Sequence, residues 1–420
     1  MKALRFLGLV PIVLLASCSS GGTISDPASS GDPTGQEPSN TTGSTNPGGT
    51  GTGSTTMTPG NTGPAVAKSA DIKSVTAVQT EVYLSKLAPA VVGRVLSAAE
   101  RATIATDGGA AIEPTVAAWV KEPGFAAVAR QFIEQSLSVS GQKNDVDFGT
   151  PGNLAVYLVQ NNRPWSEILT STSCYDGALK PIACDSGAPY TAGVLTTRAF
   201  LISRASRFNL TRSSALMKNF ACRLYPIEET LQPRIDKTRL IPMFAATNLM
   251  QAAAADNRAA SGFGNGEGCY TCHGQFSLHA QLYVKFNSSG LWQAAADGIQ
   301  DPMGELGRSL NGLMASHLQN PAEAKSEASS MFGKPVNNLA DAAKVVAASP
   351  TFDECAAHRF LDFSLGLAYG TIEYDTHLFP AIADSARVAS SDPSFSQIVQ
   401  ALYTNPVVVH SIISSLTGEQ

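Results

Sequence analysis

Cys269, Cys272 and His273 stand in the run Gly268-Cys269-Tyr270-Thr271-Cys272-His273-Gly274, the spacing C-x-x-C-H. Two thiols three residues apart can each reach one vinyl group on the same edge of a porphyrin. The adjacent histidine is then carried beneath the ring to ligate iron from the proximal side, so the pattern reads as covalent attachment of haem c. With 7 Cys and 6 His in 420 residues, chance supplies about 0.002 such patterns per sequence. Three other readings compete. A C-x-x-C pair can be a redox dithiol, but that usually follows a strand, and the stretch from Ala252 to Gly268 is rich in Ala and Gly and offers none. It can be half of a zinc site, although no second C-x-x-C or H-x-x-x-H occurs. It can also be a plain structural disulfide.

If iron sits on His273, its sixth ligand decides the chemistry. Iron with His below and Met above suits electron transfer, because neither redox state leaves an open site, and an open position suits ligand binding or peroxide chemistry. The candidates after the motif are His279, Met303, Met314, His317, Met331 and His358. Met331, in Ser330-Met331-Phe332-Gly333-Lys334-Pro335, occupies a loop signal ahead of a helix beginning near Leu339. That arrangement resembles the distal methionine of small class I c-type cytochromes and ranks Met331 first, with Met303 in Asp301-Pro302-Met303-Gly304 second. Gap-filling in the core is the competing reading for either methionine. Met314 and His317 fall on one possible helix, Gly304 to Gln319. His358 reads as a boundary histidine, and His279 lies too close to His273 to reach the opposite face easily. The motif should lie at an apolar void wide enough for a porphyrin, with Tyr270, Phe276, Phe286 and Trp292 nearby.

The elements that must position these residues read as mostly helical. Phe125, Val128, Ala129, Phe132, Ile133 and Leu137 recur at three- and four-residue spacing behind Pro123. Leu154, Tyr157 and Leu158 follow Pro151 in the same way. Leu216, Phe220 and Leu224 continue the pattern after possible caps at Thr211 and Ser213. Phe352, Cys355, Ala356, Phe360, Phe363 and Leu367 follow Ser349-Pro350, and Phe395, Ile398, Val399 and Leu402 follow Asp392-Pro393. No stretch alternates strictly, so large sheets are not expected. Hydrophobic residues make up 43% of the chain, enough for a sizeable core, and the net charge of -5 excludes a nucleic-acid binder, which needs a basic field.

The amino terminus reads as an address. Lys2 and Arg5 precede the apolar run from Phe6 to Leu15, which is too short for a membrane span and fits a secretory signal. Leu15-Ala16-Ser17-Cys18 resembles the lipobox of bacterial lipoproteins. The resemblance implies cleavage before Cys18, lipidation of Cys18 with several acyl chains, and, because Ser19 follows, sorting to the outer membrane. An ordinary secretory signal is the alternative. Of the 46 residues from Ser19 to Pro64 all but ten are Gly, Ser, Thr or Pro. Such a stretch buries too little apolar surface to fold and forms a disordered tether spanning roughly 35–40 Å.

Export accounts for the other cysteines. With Cys18 lipidated and Cys269 and Cys272 on haem, Cys174, Cys184, Cys222 and Cys355 remain, an even number in an oxidising compartment. Cys174 and Cys184 bracket a turn-rich loop and are the first pair to expect. Cys222 and Cys355 then pair by elimination, unless both are buried free thiols.

A wider resemblance follows from several short segments. Ala192-Gly193-Val194-Leu195-Thr196, Phe200-Leu201, Phe220-Ala221-Cys222, the C-x-x-C-H, and Phe286, Asn287, Gly290 and Trp292 are similar to the central module of exported planctomycete-type cytochrome c-like proteins. Leu84 to Glu100 resembles the module before it. Leu339-Ala340, Ala347-Ala348-Ser349-Pro350, Phe352, Cys355 and Phe363-Ser364-Leu365-Gly366 resemble the module after it. The resemblance spans roughly Tyr83 to His410 and strengthens the haem reading, but that family's activity is uncharacterised and supplies no substrate. An Asp-Pro pair that usually follows the haem histidine there is Ser277-Leu278 here.

The expectation is thus a mainly α chain: a signal peptide at 1–17, a tether at 18–66, an N-terminal helical module at 67–190, a haem-attachment module at 191–335 and a C-terminal helical module at 336–420. Its function would be that of a membrane-anchored mono-haem cytochrome passing electrons to a periplasmic or surface redox partner. A haem-dependent oxidoreductase or peroxidase, and a surface binding lipoprotein with structural haem, are the alternatives. About 350 residues around one haem is more scaffold than electron transfer alone requires, which keeps both in play.

Overall fold

The computed structural model describes residues 71–140, 142–143, 145–240, 267–296, 315–368 and 370–418. Cys18, the signal peptide, the tether, Met303 and Met314 lie outside them. The described residues are mainly helical, and their only strands are three antiparallel two-stranded ribbons. None of the described helices is long and apolar enough to cross a membrane.

Local sequence explains most helix starts. Pro123 opens the helix Pro123–Leu137, whose apolar stripe is buried throughout. Ser394 and Gln397 form a capping box ahead of Phe395–Tyr403. Asn405 caps the helix Pro406–Thr417, which the periodicity did not single out. Two helices stop earlier than the apolar pattern suggests. Leu210–Phe220 ends before Cys222, whose backbone is left-handed, so Leu224 falls outside it and is exposed. Thr351–Leu365 ends at the left-handed Gly366, which leaves Leu367 beyond it. Neither Thr211 nor Ser213 caps; the helix begins at Leu210 behind a left-handed Asn209.

One core joins the segments divided above at 190/191 and 335/336. It runs in sequence from Val75 to Ile413, and residues Ala70–Gln420 form one compact unit. At its centre Phe395 stacks on Phe132 (5.6 Å between ring centroids) and on Trp165 (4.3 Å), while Phe360 meets Phe395 edge-on. The Tyr83 hydroxyl donates to the Tyr403 carbonyl at 2.8 Å, tying the helix Ala77–Val91 to Phe395–Tyr403. Two disulfides add covalent closure, Cys174–Cys184 and Cys222–Cys355, the pairs that parity pointed to. The second links the end of Leu210–Phe220 to the first turn of Thr351–Leu365.

A cleft of about 550 Å³ opens between Ser166, Lys344, Ser349, Asp353, Arg387 and Asp392. Asp353 is paired with Arg387 at 2.8 Å, yet burial outweighs that pairing and raises its pKa to about 6. The folded chain therefore holds this proton more tightly than the unfolded chain does. As pH rises from about 4 through 6, the folded state loses stability, in total about 2–3 kcal/mol from this group. Urea unfolding at pH 4 and pH 7 checks this: Asp353→Asn is expected to gain on the wild type by that amount across the interval. Parallel pH profiles for the two proteins would count against it.

Candidate functional site

The motif lies in the helix Glu267–Gln281, and of Cys269 only the backbone belongs to the described residues. From Cys272 to Ser277 every residue is buried, so this helix is enclosed rather than amphipathic. Its polar side chains fasten it to its surroundings. Gln275 accepts from the Ile227 amide and donates to the carbonyls of Ile227 and Gln232. Gln281 donates to the carbonyls of Ala324 and Ser326. Gly274 permits close approach of the neighbouring chain, because a Cβ there would lie 3.1 Å from the Arg234 Cβ. The Ile235 amide donates to its carbonyl at 2.9 Å. Ser277-Leu278, where the resembling family has a loop, are simply a continuation of the helix.

Two faces of the helix carry chemistry. Cys272, Phe276 and His279 fall at helical spacing on one of them. Tyr225 covers this face, stacking on Phe276 with centroids 3.7 Å apart and placing its hydroxyl 2.5 Å from His279 Nδ1. His279 is wholly buried, its Nε2 has no hydrogen-bond partner, and burial lowers its pKa to about 3. On the adjacent face stand His273 and Ser277. The Ser277 hydroxyl donates to the His273 carbonyl at 2.7 Å and lies 2.8 Å from His317 Nδ1. The rings of His273 and His317 are 5.4 Å apart at 76°, and Phe208 packs on His317 at 4.1 Å. Burial lowers the His273 pKa to about 4, so its imidazole is neutral and keeps a lone pair for a metal.

Compared with family models, with curated proteins and with solved structures, the chain has no match. The site must therefore speak through its own residues.

Of the expected site residues, Cys272 and His273 are brought together indoors. His317 joins them, though not on a helix: residues 315–319 are non-helical, and Leu318 forms a β-bridge with Leu240. Met331 does not sit on an open loop. It ends the strand Ser329–Met331, which pairs with Lys334–Val336 across a turn at Phe332 and Gly333, and it is wholly buried in the main core. His358 is held by the Ile372 carbonyl at 2.8 Å, with its ring against Phe379. The four aromatics expected around the motif separate. Phe276 lies 5.7 Å from His273, and the Tyr270 hydroxyl donates to the Ile235 carbonyl. Phe286 and Trp292 instead close a turn of their own by a β-bridge, and the buried Arg212 donates to the carbonyls of Phe286 and Asn287. Residues 241–266 and 297–314, which flank the motif helix and His317 in sequence, lie outside the described residues.

Among the described residues no group of three or more His, Cys, Asp or Glu side chains is gathered to hold a metal ion. A haem iron takes four nitrogens from its macrocycle and asks the protein for no more than two axial groups. A neutral imidazole beside a buried cysteine, with aromatic rings around it, suits that group. Tyr225, Ser277 and the two glutamines had no signal in the sequence, since their roles rest on contacts with segments far along the chain.

Proposed function

We propose that the chain is an exported lipoprotein carrying one covalently attached haem and transferring electrons at the cell envelope. In this reading residues 18–66 tether the helical body to the outer membrane through lipidated Cys18, and the haem module spans 191–335. The observation that supports it best is the burial of the C-x-x-C-H histidine inside an enclosed helix among aromatic rings. When bound, haem would supply a one-electron couple. Cys269 and Cys272 would hold it and His273 would ligate it. Phe276, Phe208 and Tyr225 keep the surroundings apolar and exclude water, which favours electron transfer over exchange of ligands.

Absorption spectra of the exported protein, oxidised and reduced, with and without carbon monoxide, test this. Haem that resists acid–acetone extraction and a spectrum unmoved by carbon monoxide are expected. Binding of carbon monoxide would shift the reading to a haem-dependent oxidoreductase or peroxidase. Complete absence of haem would end it.

A further inference from the structure

Among the described residues His317 sets its ring edge-on to that of His273, and we infer that His317 is the sixth ligand of the iron, making the centre bis-histidine. The inference rests on the haem reading above and deepens it.

Geometry comes first. Two iron–nitrogen bonds of about 2 Å and two ring radii of about 1.1 Å separate the centroids of axial imidazoles by about 6 Å. The rings of His273 and His317 stand 5.4 Å apart, and their near-perpendicular planes are compatible with axial ligands on opposite sides of a macrocycle. The segment that carries His317 is fastened on both sides. The Asn209 side chain donates to the Ala315 carbonyl at 3.1 Å, the Ser316 hydroxyl donates to Gln281 Oε1 at 2.7 Å, and the Gln319 amide donates to the Arg239 carbonyl at 3.0 Å. His317 is thus presented to the motif helix by fixed backbone.

The tautomer is also set. The one hydroxyl hydrogen of Ser277 goes to the His273 carbonyl, so the contact with His317 Nδ1 makes that nitrogen the donor. The lone pair then resides on Nε2, the nitrogen a metal would take, and a fixed hydrogen bond at the other ring nitrogen is usual for ligating histidines. The other candidates lack this placement. His279 is six residues further along the same helix, about 240° around it from His273, and cannot lie opposite. Met331 is packed into the main core.

The full exported chain is the material for the test, read by absorption and electron paramagnetic resonance. The wild type is expected to be low-spin, without the far-red band of iron–methionine bonding. His317→Ala should turn the iron high-spin and open it to carbon monoxide, and added imidazole should restore the low-spin spectrum. His317→Met should stay low-spin at a higher potential. Should His317→Ala fail to fold, the wild-type resonance and His317→Met decide. Haem retained with an unchanged spectrum in His317→Ala, or iron opened by Met331→Ala alone, overturns the ligand assignment and leaves the cytochrome reading standing. A wild type without covalent haem overturns both.

Discussion

Cys269→Ala/Cys272→Ala is expected to abolish covalent haem entirely, read as loss of haem peroxidase staining on a denaturing gel. Each thioether bond uses one of the two sulfurs, so either single substitution should leave one bond and a reduced yield. The effect should be separable from misfolding. Cys272 is buried among packed side chains, but trimming one sulfur there costs about 1 kcal/mol, a typical core substitution. Secreted yield and helical circular dichroism should therefore stay near wild type. If haem stays covalently bound to the double variant, the motif is not the attachment site. Equal loss of haem and of fold would mean that the helix, not the thiols, had failed.

The second large effect concerns the bond between Cys222 and Cys355. It closes a loop of 133 residues, whereas Cys174–Cys184 closes one of 10. If restriction of the unfolded chain dominates, the long loop contributes about 5 kcal/mol and the short one about 3 kcal/mol. Cys222→Ala/Cys355→Ala should thus lower the unfolding free energy by about 2 kcal/mol more than Cys174→Ala/Cys184→Ala, measured by denaturant titration under oxidising conditions. A typical domain has only 5–15 kcal/mol in hand, so the larger loss is a serious one. Equal losses would show that local packing, not loop closure, sets the contribution.

The parts of the fold legible in sequence are those set by neighbours in sequence. Pro123 and the apolar stripe behind it define a helix with no outside help, and the turn-rich loop between Cys174 and Cys184 pairs those two, leaving Cys222 and Cys355 by elimination. The overrun to Leu224 and Leu367 has a different origin: apolar periodicity continues past the point where Cys222 and Gly366 turn left-handed, and periodicity carries no information on that turn. Pro406–Thr417 was masked by Val407-Val408-Val409, a β-branched run of low helix propensity. The site was legible only in part. Cys272 and His273 announce themselves by spacing. That His317 rather than Met331 lies against His273 depends on a bridge between Leu318 and Leu240, a non-local pairing that a three-residue spacing with Met314 mimicked as a helix face.

The link between Cys222 and Cys355 also makes a ring of the stretch that contains Cys269, Cys272 and His273. A protease that cuts anywhere inside it, at whatever exposed peptide it finds, releases nothing: both ends of the cut remain on one covalent molecule. Parting the two pieces left by a single cut takes a second event of another kind, reduction. A chain nicked once within this ring therefore keeps both halves of its core on one covalent molecule.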